Sequence, residues 1–184
     1  MALYNLLLPL LFDSRLRESG ALVIHSPVSM SAGEKFKDED WDPYAYGAME
    51  NLFVEGTWNS AFAEEVKPAE SDVILKNRVN FSAFRGTILE DVIESNGITR
   101  LFVLGFLSNV CVQDTTIEAS ELFPDLKIYV CSDGCAAKTK QVGHRENHIF
   151  VLLLYTKLSK RFLDSISISI GTRCCYGKYF AHVC

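Results

Sequence analysis

The chain has 184 residues, of which 48% are hydrophobic and 22% are charged, and its formal net charge at pH 7 is -5. This length and hydrophobic content fit one globular domain with a large core and argue against a disordered chain. The negative charge argues against a general nucleic-acid binder, which needs a basic surface.

The six cysteines have no regular spacing, and three of them lie between positions 174 and 184. Neither a disulfide framework nor a zinc motif has this pattern, so we expect free thiols in a cytoplasmic protein. The apolar run near the N-terminus lacks the basic flank and the cleavage site of a signal peptide. The apolar run at 149–155 is too short to cross a bilayer, so no membrane partner is expected.

The first elements are a helix and a strand. Leucines recur at helical spacing over residues 3–18, and Gly20 is a typical stop signal for that helix. Residues 21–25 predict a short buried strand, because buried parallel strands are continuous apolar runs. Residues 27–70 contain three prolines and both tryptophans, which predicts a long loop with one short helix near 59–66.

Regular structure resumes after this loop. Residues 73–76 predict a second strand that ends at Lys76. Thr87 and Glu90 form a capping-box pattern, followed by apolar residues at helical spacing. Gly97 then predicts the end of the helix.

Two further strands flank a second helix. Residues 100–105 form an apolar strand, a helix is predicted over 110–122 and stops before Pro124, and residues 126–131 form the next strand, ending at 132–134. Strands that alternate with helices predict a mainly parallel sheet in a three-layer α/β/α sandwich. Ligands bind at the carboxyl ends of the strands in such sheets.

The pattern is weaker beyond Gln141. Residues 149–155 fit either a strand or a buried helix, and residues 166–170 alternate like a strand. The final stretch shows no clear period.

Cys111 is the candidate nucleophile, since it follows a predicted strand in the first turn of a predicted helix. The unpaired N–H groups and the dipole at a helix start stabilise a thiolate and an oxyanion. Lys76 ends a strand at the same edge, where its charge would hold the thiolate. The structural alternatives are a small core cysteine and a lysine that snorkels at a strand end.

Two sequence blocks carry a family resemblance. The segment 105–112, GFLSNVCV, with Thr115 and Ala119 after it, resembles the nucleophile motif of isochorismatase-like cysteine hydrolases. The second block resembles the lysine motif of the same family and consists of Lys76, Ser82-Ala83-Phe84 and Gly86-Thr87. The resemblance covers about residues 15–141 of a single domain that spans 1–184, and it leaves a divergent tail at 142–184.

The resemblance implies a hydrolase that cleaves a small amide or ureide through a Cys111 thioester, without a cofactor. Lys76 would stabilise charge, the backbone N–H groups of Val110 and Cys111 would form an oxyanion hole, and a cis peptide would join Phe106 to Leu107. It also implies a homo-oligomer. Four side chains are candidates for the substrate pocket, with the core as the alternative for the aromatic ones: Trp58, Phe81, Phe84 and Leu107.

The family's catalytic aspartate ends its first strand, and no such V-I-D motif occurs here. We therefore expect a sheet without that first interior strand and an impaired enzyme, because base catalysis contributes about 10²–10⁴-fold. One alternative is an inactive homologue that binds a ligand or a partner subunit. Another is a redox thiol protein, although no second cysteine lies near Cys111. Some members of the family bind a metal through a cluster of ligands after the second strand. This sequence has only His25 there, so no metal site is expected.

Overall fold

The computed structural model of this protein describes residues 17–18, 20–31, 53–64, 67–136, 166–169 and 181–183. These residues contain a six-stranded sheet in the order β2-β1-β6-β3-β4-β5, in which every neighbouring pair is parallel. The strands are β1 (Ile24–Ser26), β2 (Val73–Ile74), β3 (Arg100–Phe106), β4 (Lys127–Ala136), β5 (Ile166–Ser169) and β6 (Ala181–Val183). The α-helices are α1 (Leu89–Ser95) and α2 (Gln113–Leu122). The predicted α/β fold on a mainly parallel sheet is therefore confirmed.

The strand β6 occupies an interior position of the sheet, between β1 and β3. His182 pairs with His25 on one side and with Leu104 on the other. The sequence showed no strand pattern here, because a segment of three residues is too short to reveal a period. The expected absence of a first strand concerns residues before the described part and stays a prediction.

The two faces of β3 contribute to different hydrophobic clusters. Leu101 and Val103 are fully buried and lie in the main core together with residues of α1 and α2. Phe102 and Leu104 point to the opposite face and join a second cluster, in which the ring of Phe102 stacks on that of Tyr129 at 4.8 Å. This alternation follows from the two-residue period of a strand. Residues 3–16 and 149–155, for which a helix and a further element were predicted, lie outside the described part.

Helix α1 does not begin with the predicted capping box, although Thr87 binds its first turn. The Thr87 hydroxyl accepts a hydrogen bond from the backbone N–H of Leu89 at 3.1 Å and donates one to the Ala83 carbonyl at 2.5 Å. The backbone N–H of Thr87 donates to the Phe84 carbonyl instead of to Glu90. The predicted capping box is therefore wrong, while the stop at Gly97 (φ 58°) is confirmed.

Strand β4 was predicted to end at residues 132–134, but it continues to Ala136 through an irregular segment. Val103 pairs with Val130 whereas Gly105 pairs with Cys135, so two residues of advance on β3 match five on β4. The absence of a side chain at Gly134 allows this close approach, because an added Cβ would lie 3.1 Å from the Cβ of Leu104.

The helix predicted near 59–66 is interrupted within the described residues. Residues Trp58–Ser60 form a 3₁₀ turn, residues 61–63 are not helical, and Glu64 is again in a 3₁₀ conformation, while residues 65–66 lie outside the described part. The Thr57 hydroxyl donates to the Val54 carbonyl at 2.6 Å, and the Ser60 hydroxyl donates to the Thr57 carbonyl at 2.9 Å. Such side-chain bonds compete with helical backbone bonds and favour a turn.

A buried ion-pair cluster connects β1 to the start of β2. Arg17 donates to both carboxylate oxygens of Asp72, at 2.8 and 2.5 Å, and His25 Nε2 lies 2.9 Å from Asp72 Oδ2. Burial alone would raise the pKa of Asp72, but the hydrogen bonds from Arg17, from the Ala69 backbone and from His25 outweigh it and lower this pKa to about 2. The cluster therefore holds Asp72 as a carboxylate.

In the part of the chain that the structure describes, no helix has the length and apolar character needed to cross a bilayer.

Candidate active site

Cys111 lies where β3 passes into α2. Residues Ser108–Val112 form a π-helical turn, here called the nucleophile turn, which continues directly into α2. The helix therefore starts about two residues before the predicted position. The peptide bond between Phe106 and Leu107 is cis. Cys111 is 9% exposed and belongs to the main core, while π-helical turns often occur at functional sites.

The nucleophile turn uses one of the two expected oxyanion donors. The backbone N–H of Val110 donates to the Leu107 carbonyl at 3.1 Å, and that of Val112 donates to the same oxygen at 3.2 Å. Val110 therefore holds the turn together in this conformation and does not offer its N–H to a substrate. The backbone N–H of Cys111 stays as the candidate donor at the helix start.

Lys76 follows β2 by two residues and is exposed. Strands β1 and β6 separate β2 from β3, which corresponds to three strand spacings, or about 14 Å. The sheet alone therefore does not bring Lys76 to Cys111. The connection depends on residues 77–87, here called the lysine loop.

Arg78 attaches the start of the lysine loop to the end of β1. Its side chain is fully buried and donates to the carbonyl oxygens of Ser26, Asn80 and Phe81. The Arg78 carbonyl in turn accepts the backbone N–H of Ser29 at 3.1 Å. A buried guanidinium with several carbonyl partners fixes the loop backbone, because each lost partner would leave a buried polar group unpaired.

The far end of the lysine loop docks on α2, the helix that follows Cys111. The backbone N–H of Ala83 donates to the Thr115 hydroxyl at 2.9 Å, and Thr115 is fully buried. Arg85 Nε also lies 3.5 Å from Glu118 Oε2. Thr115 is one helical turn beyond Cys111, so the loop that begins at Lys76 ends against the same stretch of helix.

The sequence did not single out Arg78 for a role, and it placed Thr115 only within a motif. An arginine in a polar loop is normally exposed, so its burial had no signal in the sequence. A threonine on a helix also has no pattern that predicts a partner on another loop.

The four predicted pocket residues lie in different environments. Trp58 is 92% exposed on its 3₁₀ turn, so the structure does not place it in a pocket. Phe84 is 7% exposed in the main core, with its ring 6.1 Å from that of Phe123. This position agrees with the alternative that Phe84 belongs to the core. Phe81 is partly buried against the core, and Leu107 is partly buried before the nucleophile turn.

His25 has a structural partner, since its Nε2 atom contacts Asp72 and its ring meets Phe62 edge to face at 5.5 Å. Within the described ranges there is no group of three or more His, Cys, Asp or Glu residues that could hold a metal ion.

Comparison with known proteins gives a consistent family assignment. A model of the isochorismatase domain matches residues 11–150. The ureidoacrylate amidohydrolase RutB of Agrobacterium fabrum is 31% identical over 71 residues, which is 39% of this chain and 31% of that protein. RutB of Klebsiella pneumoniae is 34% identical over 64 residues, 35% of this chain and 27% of that protein. The matched segments thus span less than a third of the length of these relatives.

Solved structures share the fold. An isochorismatase family protein from Desulfovibrio vulgaris superposes with a TM-score of 0.70 at 22% identity, over 81% of this chain and 76% of that chain. The N-carbamoylsarcosine amidase from Thermoplasma acidophilum superposes with a TM-score of 0.64 at 19% identity, over 91% of this chain and 82% of that chain.

Proposed function

Because the chain belongs to the isochorismatase family, we propose that it hydrolyses the C–N bond of a small amide or ureide through a covalent thioester on Cys111. The observation that carries this proposal is the position of Cys111, in a π-helical turn that starts α2 at the carboxyl edge of a parallel sheet. Ligands bind at this edge in open α/β sheets.

The proposed reaction has two halves. The Cys111 thiolate attacks the carbonyl carbon and forms a tetrahedral oxyanion, which collapses to a thioester as the C–N bond breaks. The departing nitrogen takes up a proton and leaves as an amine or ammonia. Water then attacks the thioester, releases the carboxylic or carbamic acid and returns the proton to the thiol.

The start of α2 would stabilise the negative charge in both halves. Helix dipoles and unpaired N–H groups favour anions at this end. The Cys111 N–H is the proposed oxyanion donor, because the Val110 N–H is bound to Leu107.

Lys76 is proposed to stabilise the thiolate and the oxyanion from the end of β2. Support comes from the two attachments of the lysine loop, at Ser26 through Arg78 and at Thr115 through Ala83. These contacts direct the lysine loop, which follows Lys76, across the end of β1 and onto α2.

The substrate class is proposed from the relatives. One is named for ureidoacrylate and another for N-carbamoylsarcosine, and both compounds carry a carbamoylated nitrogen. A ureide is therefore the first substrate class to test, ahead of a simple carboxamide.

We propose that the 184-residue chain turns over slowly. None of the strands in the described residues ends on an aspartate, and Asp72 lies at the other end of β2, where Arg17 and His25 bind it. Proton transfer to the leaving nitrogen would then depend on water. The second candidate, an inactive homologue that binds a ligand or a partner subunit, is favoured by the 9% exposure of Cys111.

Hydrolysis of a panel of ureides and carboxamides distinguishes these candidates. We expect slow release of the amine or ammonia from a ureide, lost in Cys111→Ser and reduced at least about tenfold in Lys76→Met. Cys131→Ser, a buried cysteine in β4, is the matched control and should retain the parent rate. Turnover by Cys111→Ser at the parent rate would exclude the thioester mechanism, and no turnover by the parent would favour the inactive homologue.

Two further expectations accompany this function. Cys111 is a free thiol, which supports the proposal of a cytoplasmic location. Homo-oligomerisation stays a prediction, which light scattering of the purified chain would test.

A further inference from the structure

Two buried serines differ from every other buried hydroxyl in the described residues. Ser26 is 1% exposed and Ser108 is 7% exposed, yet neither Oγ atom has a hydrogen-bond partner there. The other buried hydroxyls all have partners. Those of Ser82 and Thr115 accept the backbone N–H groups of Phe84 and Ala83, and those of Thr116 and Ser120 donate to the carbonyls of Val112 and Ile117. A buried polar group without a partner costs free energy and requires an explanation.

Both serines lie at the carboxyl edge of the sheet. Ser26 is the last residue of β1, and Ser108 is the first residue of the nucleophile turn, three positions before Cys111. The Oδ1 atom of Asn109, in the same turn, is also buried without a partner in the described residues. Three of the four buried side-chain polar atoms without a hydrogen-bond partner in the described residues therefore belong to residues at the edge that carries the proposed nucleophile.

The backbone pairing limits the distance between these groups. Ser26 pairs with Val183 of β6, and Val183 pairs with Gly105, so Ser26 is two strand spacings, about 10 Å, from Gly105 in β3. The Ser26 carbonyl is fixed by the buried Arg78 guanidinium. A small ligand that lies over the carboxyl end of β6 would span the distance between β1 and the nucleophile turn.

We propose that Ser26, Ser108 and Asn109 form a polar subsite that binds the N–H groups of a ureide substrate next to Cys111. This inference rests on the proposed function and specifies its substrate class. The Oδ1 atom of the Asn109 side chain only accepts hydrogen bonds, and a serine hydroxyl accepts as well as donates. A ureido group offers N–H donors on both sides of its carbonyl, whereas a carboxamide with a methylene at the inner position lacks one of them.

The proposal predicts an unusual stability effect. Replacing a buried hydroxyl that has no protein partner removes an unsatisfied group, so Ser26→Ala and Ser108→Ala should leave Tm unchanged or raise it in the free protein. Ser120→Ala removes a hydroxyl that is bonded to the Ile117 carbonyl and is the matched control.

The test measures binding in the Cys111→Ala protein, so that hydrolysis does not interfere. Calorimetry compares ureidoacrylate with its analogue in which the inner N–H is replaced by CH₂. We expect the ureide to bind about tenfold tighter or more than the analogue, and Ser26→Ala or Ser108→Ala to bring this ratio close to one. Ser120→Ala should retain the ratio.

Three results would overturn the subsite: an unchanged ratio in both serine variants, a loss of affinity that accompanies a lower Tm, or no binding of either ligand at millimolar concentration. The test is separate from that of the proposed function. A retained binding pattern without Cys111-dependent turnover would overturn the thioester mechanism alone, and Cys111-dependent hydrolysis without the pattern would overturn the subsite alone.

Discussion

The Thr115 hydroxyl accepts a hydrogen bond from the Ala83 backbone N–H at 2.9 Å, with both residues buried. This contact joins the helix that follows Cys111 to the loop that follows Lys76. The two proposed catalytic residues come from strands that are not neighbours, so their relative position depends on this contact and on Arg78 rather than on the sheet ladder alone.

Thr115→Val keeps the shape of the side chain but leaves the Ala83 N–H buried and unpaired. We expect a loss of about 1–3 kcal/mol in the free energy of unfolding, measured by urea denaturation. Thr116→Val is the matched control. Its hydroxyl donates to the carbonyl of Val112, the last residue of the nucleophile turn, at 2.6 Å, and we expect a smaller loss there. An equal loss in both variants would show that the contact with the lysine loop has no special role.

Arg78→Met removes the buried guanidinium and leaves carbonyl oxygens of Ser26, Asn80 and Phe81 without this donor. We expect a loss of more than about 3 kcal/mol in stability, since each bond to a charged group contributes about 1.5–3 kcal/mol. Arg85→Met tests an exposed arginine of the same loop, whose pair with Glu118 is long at 3.5 Å, and should change stability by less than about 1 kcal/mol. Similar losses in the two variants would contradict the assigned role of Arg78.

The Arg17–Asp72–His25 cluster predicts a specific acid sensitivity. The pKa of Asp72 falls from 3.8 to about 2 in the folded protein, so the stability it contributes is complete above about pH 5 and is lost as the pH falls towards 2. The contribution amounts to at most about 2 kcal/mol. Asp72→Asn should therefore lower stability at pH 7 and flatten its dependence on pH between 5 and 2.

Urea denaturation at several pH values, for the parent and for Asp72→Asn, measures this difference. Arg17→Met removes the strongest partner of Asp72 and should reproduce part of the effect. A stability difference between parent and Asp72→Asn that is constant from pH 7 to 2 would refute the prediction.

The aromatic residues that the sequence placed near the substrate are expected to behave differently from one another. Phe84→Ala should cost about 3–5 kcal/mol, because its ring is 7% exposed within the main core. Trp58→Ala should change neither stability nor KM, because its side chain is 92% exposed. An increase of several-fold in KM for Trp58→Ala would show that this residue reaches the substrate.

The elements with a strong local pattern were predictable from the sequence. The apolar run that became β3 and the segment before Pro124 that became α2 are long enough to be recognised, and their ends fall within a few residues of the predicted ones. Cys111 at the junction between them could be selected for the same reason.

The contacts that build the site were not predictable, because they depend on tertiary structure. Three residues gave no pattern for β6, so its interior position could not be anticipated. The burial of Arg78 and the unpaired hydroxyls of Ser26 and Ser108 depend on where the lysine loop crosses the sheet edge. The sequence of a short polar loop has no periodic pattern from which its position in the fold could be predicted.

Intact-protein mass spectrometry during incubation with a ureide tests the thioester mechanism most directly. We predict a transient mass increase equal to the acyl group, located on the peptide that contains Cys111 and absent from Cys111→Ser. The Cys131→Ser control should form the same adduct. Turnover of the ureide that continues at the parent rate in Cys111→Ser, or an adduct on another cysteine that persists in Cys111→Ser, would contradict it.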